Sequence, residues 1–324
     1  MCGACADNQK LFEDSREYAR RLANVLNQPA VEFSPSDTPT LPQSITTALP
    51  QVDISLTDFY ALRDCPLYTL VAERNTALGK IQSASQRYIY ENRLLNAVDD
   101  CLPRLDDSGV RDKLRHWRQM KHQALNQVWL RLLNSTEVRK SLALGQGYLT
   151  GNDRDGLSQT VESLQYLISL HPATAPHGDF RYLEQHLNTL QQFHTTASLL
   201  RSQRLLAGHL SQLTEWLSSQ AIYCSDKQAS DEVRYLRNVF DLFFIQRIQP
   251  VASSMNHYHY KLFPLWQTLI GQSADAYQQW LEQQQSDFEH YQQAMREHIH
   301  FWQALFKQCH LPPPAASIQQ ASRQ

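Results

Sequence analysis

The sequence predicts an all-α fold, an elongated bundle of long antiparallel helices with an extended proline-rich segment near the N-terminus. Glycine is scarce, with 10 residues in 324, whereas 44 residues are Leu and 35 are Gln. Such straight side chains lose little freedom in a helix, and turn-rich β structure needs more glycine. Hydrophobic residues make up 42% of the chain and charged residues 19%, which argues against a disordered polyelectrolyte.

The first 56 residues divide into three segments of different composition. Residues 1–8 are mostly small and polar and predict a tether. Residues 9–28 carry apolar side chains at helical spacing, which predicts a first helix that ends before Pro29. Residues 29–56 contain five prolines among Ser and Thr, a composition that cannot continue as helix. We therefore expect an extended segment that lies over other elements.

Residues 57–309 form the predicted helical bundle, and residues 310–324 a disordered tail. Long helical patterns joined by short loops indicate antiparallel neighbours. The bundle allows a division into two sub-bundles near 145–156 or near 222–230. The predicted helices span about 57–74, 83–104, 108–134, 136–144, 157–170, 180–221, 229–248, 251–270 and 273–309.

Two apolar stripes identify the helices that we expect at the centre of the bundle. In the last helix Tyr277, Phe288 and Trp302 belong to a set that recurs at steps of three, four or seven residues. A second stripe runs from Leu206 to Leu217 in the segment 180–221. Apolar residues at this spacing are typical of helices that pack against a neighbour along their whole length.

The charge balance indicates no general attraction to polyanions. The 30 basic and 32 acidic residues give a formal net charge of -2, so no nucleic-acid partner is predicted. Residues 111–122 do form a basic helical face that could bind phosphate, nucleic acid or lipid headgroups. The acidic residues of 275–297 offer an intramolecular charge match for this face, and we favour either that match or plain solvation of the face over a binding role.

Histidine occurs twice in an H-x-H pattern, at His257 and His259 and at His298 and His300. Residues two apart on a helix point about 200° apart, so neither pair chelates one ion there. Glu297 and His300 have the E-x-x-H spacing of a di-iron helix, but no second E-x-x-H occurs in the chain. No metal site and no cofactor is therefore predicted. The absence of a G-x-S-x-G motif also argues against a standard hydrolase.

The densest polar cluster lies at residues 73–87. Gly79 can end one helix there, and Ser83 or Ser85 can cap the next, which is the structural interpretation. The functional alternative is a site for a polar or anionic group at this helix corner. An enzyme built here would need an acid or a histidine with a shifted pKa, and Glu73 and Glu91 are the only nearby acids. The candidate ligand-binding residues are Glu73, Arg74, Asn75, Gln82, Gln86 and Arg87.

Two pairs of stretches resemble the signature of an uncharacterised gammaproteobacterial family, domain of unknown function 3080. They are LVAERNTALGK at 70–80 with SQRYIYE at 85–91, and LRNVF at 236–240 with IQRIQP at 245–250. The resemblance covers nearly the whole chain. It implies a lipoprotein without known activity, for which a binding or scaffolding role is favoured over an enzymatic one. We expect it on the periplasmic side of the cell envelope, anchored to the outer membrane.

The resemblance also suggests how the chain is attached. Cys2 and Cys5 lie at the start of a sequence that has no apolar signal segment before them. Cys2 is the predicted lipidation site if the native precursor extends upstream; the alternative is two incidental thiols. The predicted contacts are then the membrane, through the anchor only, and an unknown envelope protein or a small polar ligand.

A periplasmic location predicts disulfides among Cys65, Cys101, Cys224 and Cys309, which allow three pairings. The pairing of Cys65 with Cys101 is favoured. Both cysteines lie beside helix interruptions at prolines, and the chain can turn near Gly79 and return antiparallel. The alternative is buried free thiols in a reduced protein.

Overall fold

The computed structural model describes residues 8–33, 40–43, 49, 54–74, 82–143, 147–172, 178–224, 229–271 and 275–312. Within these residues every regular element is helical and no strand occurs, which confirms the predicted all-α class. The α-helices are α1 (Lys10–Val25), α2 (Leu56–Ala61), α3 (Pro66–Arg74), α4 (Ala84–Cys101), α5 (Ser108–Leu133), α6 (Thr136–Ala143), α7 (Leu157–Ser169), α8 (Leu183–Phe193), α9 (Thr195–Ser219), α10 (Asp231–Val239), α11 (Gln249–Ile270) and α12 (Asp275–Gln308).

Two predicted helices are each broken into a pair. The segment 57–74 divides at a turn after Leu62, and α3 begins at Pro66, which has no N–H to bond and suits a first helical turn. The segment 180–221 divides between α8 and α9 at His194, whose backbone is left-handed with φ 52°. The Nδ1 of His194 lies 3.1 Å from the carbonyl oxygen of Lys140, so a tertiary contact holds this break.

Two other predicted helices are joined into one. Between α10 and α11 the chain continues through a π-helical segment, Phe240–Ile248. Pro250, which lies between the predicted helices 229–248 and 251–270, is in the first turn of α11 directly after this segment, where a proline does not interrupt a helix. One helical path therefore runs from Asp231 to Ile270.

The large hydrophobic core is built around the packing of α9 on α12. The two predicted stripes meet here, since Leu206 and Leu217 of α9 and Phe288 and Trp302 of α12 are all buried. Helices α1, α7, α8 and α11 and the π-helical segment add further buried side chains. Burying one leucine or phenylalanine side chain contributes roughly 1.5 to 3 kcal/mol, so this contact is a main source of stability.

A buried histidine is fully hydrogen-bonded within this core. The indole Nε1 of Trp302 donates to Nε2 of His298 over 3.1 Å, and the Tyr18 hydroxyl lies 2.9 Å from the same nitrogen. Because indole can only donate, Nε2 is the unprotonated nitrogen of a neutral ring. Nδ1 then carries the hydrogen and donates to Oγ1 of Thr214 over 2.8 Å. His298 is therefore a satisfied core residue.

A second, smaller core lies between α2, α3, the end of α4 and the start of α5. Its members include Leu62, Leu67, Val98 and Leu114, all buried. Helices α4 and α5 contribute to both cores, so the boundary between the cores crosses these two helices. The large core contains residues from both sides of 145–156 and of 222–230, and the described core does not divide at either place.

Two disulfides close loops among the described residues. Cys65 and Cys101 are bonded inside the small core, with their Cα atoms 5.5 Å apart, so the favoured pairing is confirmed. Cys224 and Cys309 form the second disulfide, with their Cα atoms 5.4 Å apart. The latter bond joins the segment after α9 to the end of α12.

The described residues of the proline-rich segment contain no helix before α2. Val31, Phe33, Leu41 and Leu49 of this segment pack against the large core. Nη1 of Arg139 on α6 donates to the carbonyl oxygen of Pro42 over 2.9 Å, which holds the segment on the bundle. Cys2, most of the predicted tether and residues 313–324 of the predicted tail lie outside the described residues.

Candidate functional site

Charged side chains occupy the boundary between the two cores. Glu91 of α4 is 2% exposed and lies between Tyr88 of the large core and Leu94 of the small core. Tyr88 and Leu94 are each three residues from Glu91 on the same helix, so an apolar residue would normally occupy position 91. A carboxylate at this depth needs partners, because burying an unpaired charge is very unfavourable.

Two cations approach the same oxygen of Glu91. Arg87, one turn earlier on α4, forms an ion pair with Oε1, and Nζ of Lys121 on α5 donates to Oε1 over 3.1 Å. The side chain of Arg87 is 16% exposed and that of Lys121 is 11% exposed. Solvent therefore screens this group weakly, and it contains two positive charges for one negative charge.

Arg74, the last residue of α3, adds a third positive charge at the same corner. Burial lowers the pKa of Lys121; Glu91 opposes this shift, whereas Arg87 and Arg74 add to it. Burial also lowers the pKa of Arg74, and the neighbouring charge of Arg87 lowers it further. Burial and the charge of Glu91 raise the pKa of the Tyr90 phenol to about 12, so it stays protonated at neutral pH. The corner therefore combines a buried carboxylate with cations from three helices.

The six predicted ligand residues have different surroundings. Arg87 forms an ion pair with Glu91, and the charge of Glu91 also acts on Arg74, whereas Glu73 is exposed at the end of α3. Gln86 is exposed and completes a capping box at the start of α4, where its Oε1 accepts from the backbone N–H of Ser83 over 3.3 Å. The Oε1 of Gln82 is buried and has no hydrogen-bond partner among the described residues. Asn75 lies outside the described residues, as does Gly79.

Lys121 belongs to the basic face of 111–122, and the sequence does not assign it to this corner. It follows Leu114 by seven residues and precedes Leu125 by four, and both leucines are buried. A charged residue within such an apolar stripe is the sequence signal that could have identified Lys121 as a buried cation. Its pairing with Glu91 depends on the register of α4 against α5, which the sequence does not show.

Among the described residues the basic face of 111–122 forms no ion pair with the helix 275–297, so the predicted charge match is wrong there. On α12 the described Asp287 pairs instead with Arg204 of α9, whose Nε donates over 2.7 Å. Two of its partners lie on α4, which packs against α5 as a hairpin, one lies on α2, and one lies on α5 itself. These ion pairs are Lys113 with Asp58, Arg115 with Asp112, Arg118 with Asp99, and Lys121 with Glu91.

An open groove of about 460 Å³ lies between the end of α4 and the middle of α5. Its charged and polar lining consists of Asp99, Arg115, Arg118, Gln119, His122 and Gln123. Both arginines already pair with aspartates, and all six residues are exposed. Ion pairs at such positions contribute little energy, and the groove is a weaker site than the buried corner.

The histidine pairs are divided between the core and the surface. His259 is buried and stacks on the ring of Phe288 at 3.5 Å between centroids, whereas His257 is exposed. His298 is buried and His300 is exposed. Each pair thus faces two directions, as the helical spacing predicted. No group of three potential metal-ligating His, Cys, Asp or Glu residues occurs in the described parts of the chain.

Three buried histidines make stability depend on pH. Burial lowers the pKa of His298 to about 3 and that of His259 to about 4, and burial with the charge of Arg16 lowers that of His209 to about 4. In the unfolded chain each takes up a proton near pH 6.5. The unfolded state therefore binds more protons below that pH. Stability is expected to fall as the pH drops from about 6.5 towards 4, and to be independent of these groups above about 7.

Replacing His209 by Phe is expected to weaken the dependence of the free energy of unfolding on pH. The His209 ring stacks on Phe33 at 3.9 Å between centroids, and neither ring nitrogen has a hydrogen-bond partner among the described residues. His209→Phe therefore removes one titrating group without removing a hydrogen bond. Urea unfolding should show a slope against pH lower by up to about 1.4 kcal/mol per pH unit between about 4 and 6.5. His290→Gln on the exposed surface is the control, and an equal change in both variants would refute the assignment.

Comparison with known proteins gives one match. The chain matches a family described as "Protein of unknown function (DUF3080)" over residues 15–313, which include the small core, the charged corner and nearly all of the large core. No curated protein matches the chain, and no solved structure does. Because the match covers nearly the whole sequence, the chain belongs to the DUF3080 family.

Proposed function

We propose that this protein is a lipoprotein of the bacterial cell envelope, anchored to the outer membrane through Cys2 and facing the periplasm. In this role it is a binding or scaffolding module, and its contact is an envelope protein or a small polar ligand. The lipid anchor is its only attachment to the membrane, and it binds no nucleic acid.

The observation that supports a periplasmic location is the pair of disulfides. Cys65 with Cys101 and Cys224 with Cys309 use four of the six cysteines of the chain. Such bonds persist in oxidising compartments such as the periplasm and are rare where glutathione keeps thiols reduced. Cys2 and Cys5 are the two cysteines that these bonds do not use. Among the described helices, none combines the length and the hydropathy that a bilayer crossing requires.

The second candidate function is ligand binding or catalysis at the helix corner of Arg74 and Arg87. The observation that favours it is the buried Glu91 with its two cations, Arg87 and Lys121. Buried ion pairs are often no more stabilising than apolar residues of similar size. Stability alone therefore does not explain why this protein has a group of charged side chains at the boundary of its cores. Ligand binding at this corner is compatible with the envelope role.

The anchor is tested by metabolic labelling with a palmitate analogue in a native host. We expect label on the wild-type protein and on a Cys5→Ser variant, and none on a Cys2→Ser variant. The Cys5→Ser variant is the matched control, because it removes a neighbouring thiol and leaves the proposed acceptor. Label that persists in Cys2→Ser, or wild-type protein without label, would contradict the lipoprotein assignment.

A further inference from the structure

We infer that the corner formed by Arg74, Arg87 and Lys121 binds a tetrahedral oxyanion, the phosphate group of a small ligand. The inference rests on the proposed binding function and names the ligand class for the same corner. We use "the oxyanion corner" below for these three cations together with Glu91.

The first argument is the balance of charge. Arg87 and Lys121 share the single oxygen Oε1 of Glu91, so this buried group holds an excess of positive charge. Arg74 comes close enough to Arg87 and Lys121 for their charges to affect one another. An anion beside these cations would compensate the excess at a place where solvent does so poorly.

The second argument is the supply of hydrogen-bond donors. Nε of Arg87 is buried and has no acceptor among the described residues, although its Nη2 is paired with Glu91. A guanidinium presents its N–H groups in a fixed fork, and a ligand oxygen would satisfy the donor that Glu91 does not reach. The ammonium of Lys121 has three donors, of which the structure pairs one with Glu91.

The third argument is the arrangement of the cations, which favours phosphate over carboxylate. Arg74 ends α3, Arg87 lies in the first turn of α4, and Lys121 lies in the middle of α5. Donors that come from three separate helices suit an anion that presents oxygens on several sides. The oxygens of a phosphate point in tetrahedral directions, whereas the two oxygens of a carboxylate lie in one plane. Arginine and lysine together are also the usual phosphate-binding residues.

The test uses the full chain with both disulfides intact and inorganic phosphate as the probe. Thermal unfolding is followed in phosphate, sulfate, acetate and chloride at equal ionic strength. We expect phosphate and sulfate to raise the unfolding temperature in a saturable manner, and acetate to act like chloride. Equal effects of all four salts, or a rise in phosphate and sulfate that does not saturate, would overturn the inference. Screening has no preference for tetrahedral ions, and the general stabilisation by phosphate and sulfate, which are excluded from protein surfaces, grows with concentration without saturating.

Variants locate the binding site. Lys121→Gln and Arg87→Gln should each weaken phosphate binding by at least about tenfold, and Lys121→Arg should retain it. Arg118→Gln is the matched control, since Arg118 lies on the same helix with 43% of its side chain exposed. Loss of binding in Arg118→Gln equal to the loss in Lys121→Gln would place the site elsewhere and refute the inference.

Chemical protection gives a measurement on the wild-type protein that does not depend on any variant folding. Amines are acetylated with limiting reagent, and each modified lysine is quantified by mass spectrometry. Phosphate should slow the modification of Lys121 and leave that of Lys113, whose side chain is 57% exposed, unchanged. No protection of Lys121 would overturn the inference. This failure would leave the palmitate label at Cys2 unaffected, so it is distinct from a failure of the envelope assignment.

Discussion

Replacing Glu91 by Gln is expected to lower the free energy of unfolding by about 3 to 5 kcal/mol, because it leaves two buried cations without their anion. Arg87 and Lys121 have 16% and 11% of their side chains exposed, so water reaches neither of them well. The substitution preserves the size of the side chain. The loss would therefore report charge rather than packing, and urea unfolding at neutral pH measures it.

Two further variants show whether the charges act as a group. Asp100→Asn, an exposed position on the same helix, should change stability by no more than about 0.5 kcal/mol. The triple variant Arg87→Met, Glu91→Leu, Lys121→Met should recover most of the stability that Glu91→Gln loses, because apolar residues of similar volume replace a buried ion group at little or no cost. A Glu91→Gln variant as stable as the wild type would mean that the group is solvated.

The triple variant also addresses why the two cores are separate. Tyr88 and Leu94 of α4 belong to different cores, and Glu91 lies between them. With leucine at position 91 and methionine at 121, apolar side chains would fill the boundary and connect the cores. If the triple variant is stable, the charges are dispensable for burial of apolar surface. If phosphate binding disappears while stability is retained, the group has a role in binding rather than in folding.

Helical periodicity was sufficient to predict the principal helices. The prediction of 108–134 agrees with Ser108–Leu133, and that of 273–309 agrees with Asp275–Gln308, since both have long apolar stripes with clear ends. The break at His194 was missed because no proline or glycine marks it and a contact with Lys140 holds it. The π-helical segment was missed because its apolar spacing resembles that of an α-helix.

The candidate site was predictable only in part, for a similar reason. Arg74 and Arg87 lie near each other in the sequence, on either side of a helix break, and local composition identified them. Lys121 lies 30 residues from Glu91, and only the antiparallel packing of α4 and α5 brings them together. The same packing explains the wrong prediction for the basic face of 111–122. Charge patterns indicate that a face needs partners, but the tertiary structure selects them.

Removing the disulfide between Cys65 and Cys101 is expected to lower the free energy of unfolding by about 4 kcal/mol in the chain-entropy model, since it closes a loop with a sequence separation of 36. The bond lies inside the small core, which has few members and no other covalent link in the described residues. A Cys65→Ser, Cys101→Ser double variant should therefore lose hydrogen-exchange protection first in α2, α3 and the adjoining ends of α4 and α5.

The matched comparison is the Cys224→Ser, Cys309→Ser double variant, whose disulfide has a sequence separation of 85. Its loss should cost slightly more, about 4.5 kcal/mol, because the loop is longer. Cys309 packs in the large core, so protection should fall there, across α10 to α12, while the small core keeps its exchange rates. Hydrogen exchange followed by mass spectrometry separates the two patterns. If both double variants lose protection over the whole chain together, the two cores unfold as one cooperative unit, and the boundary at Glu91 and Lys121 does not divide the protein energetically.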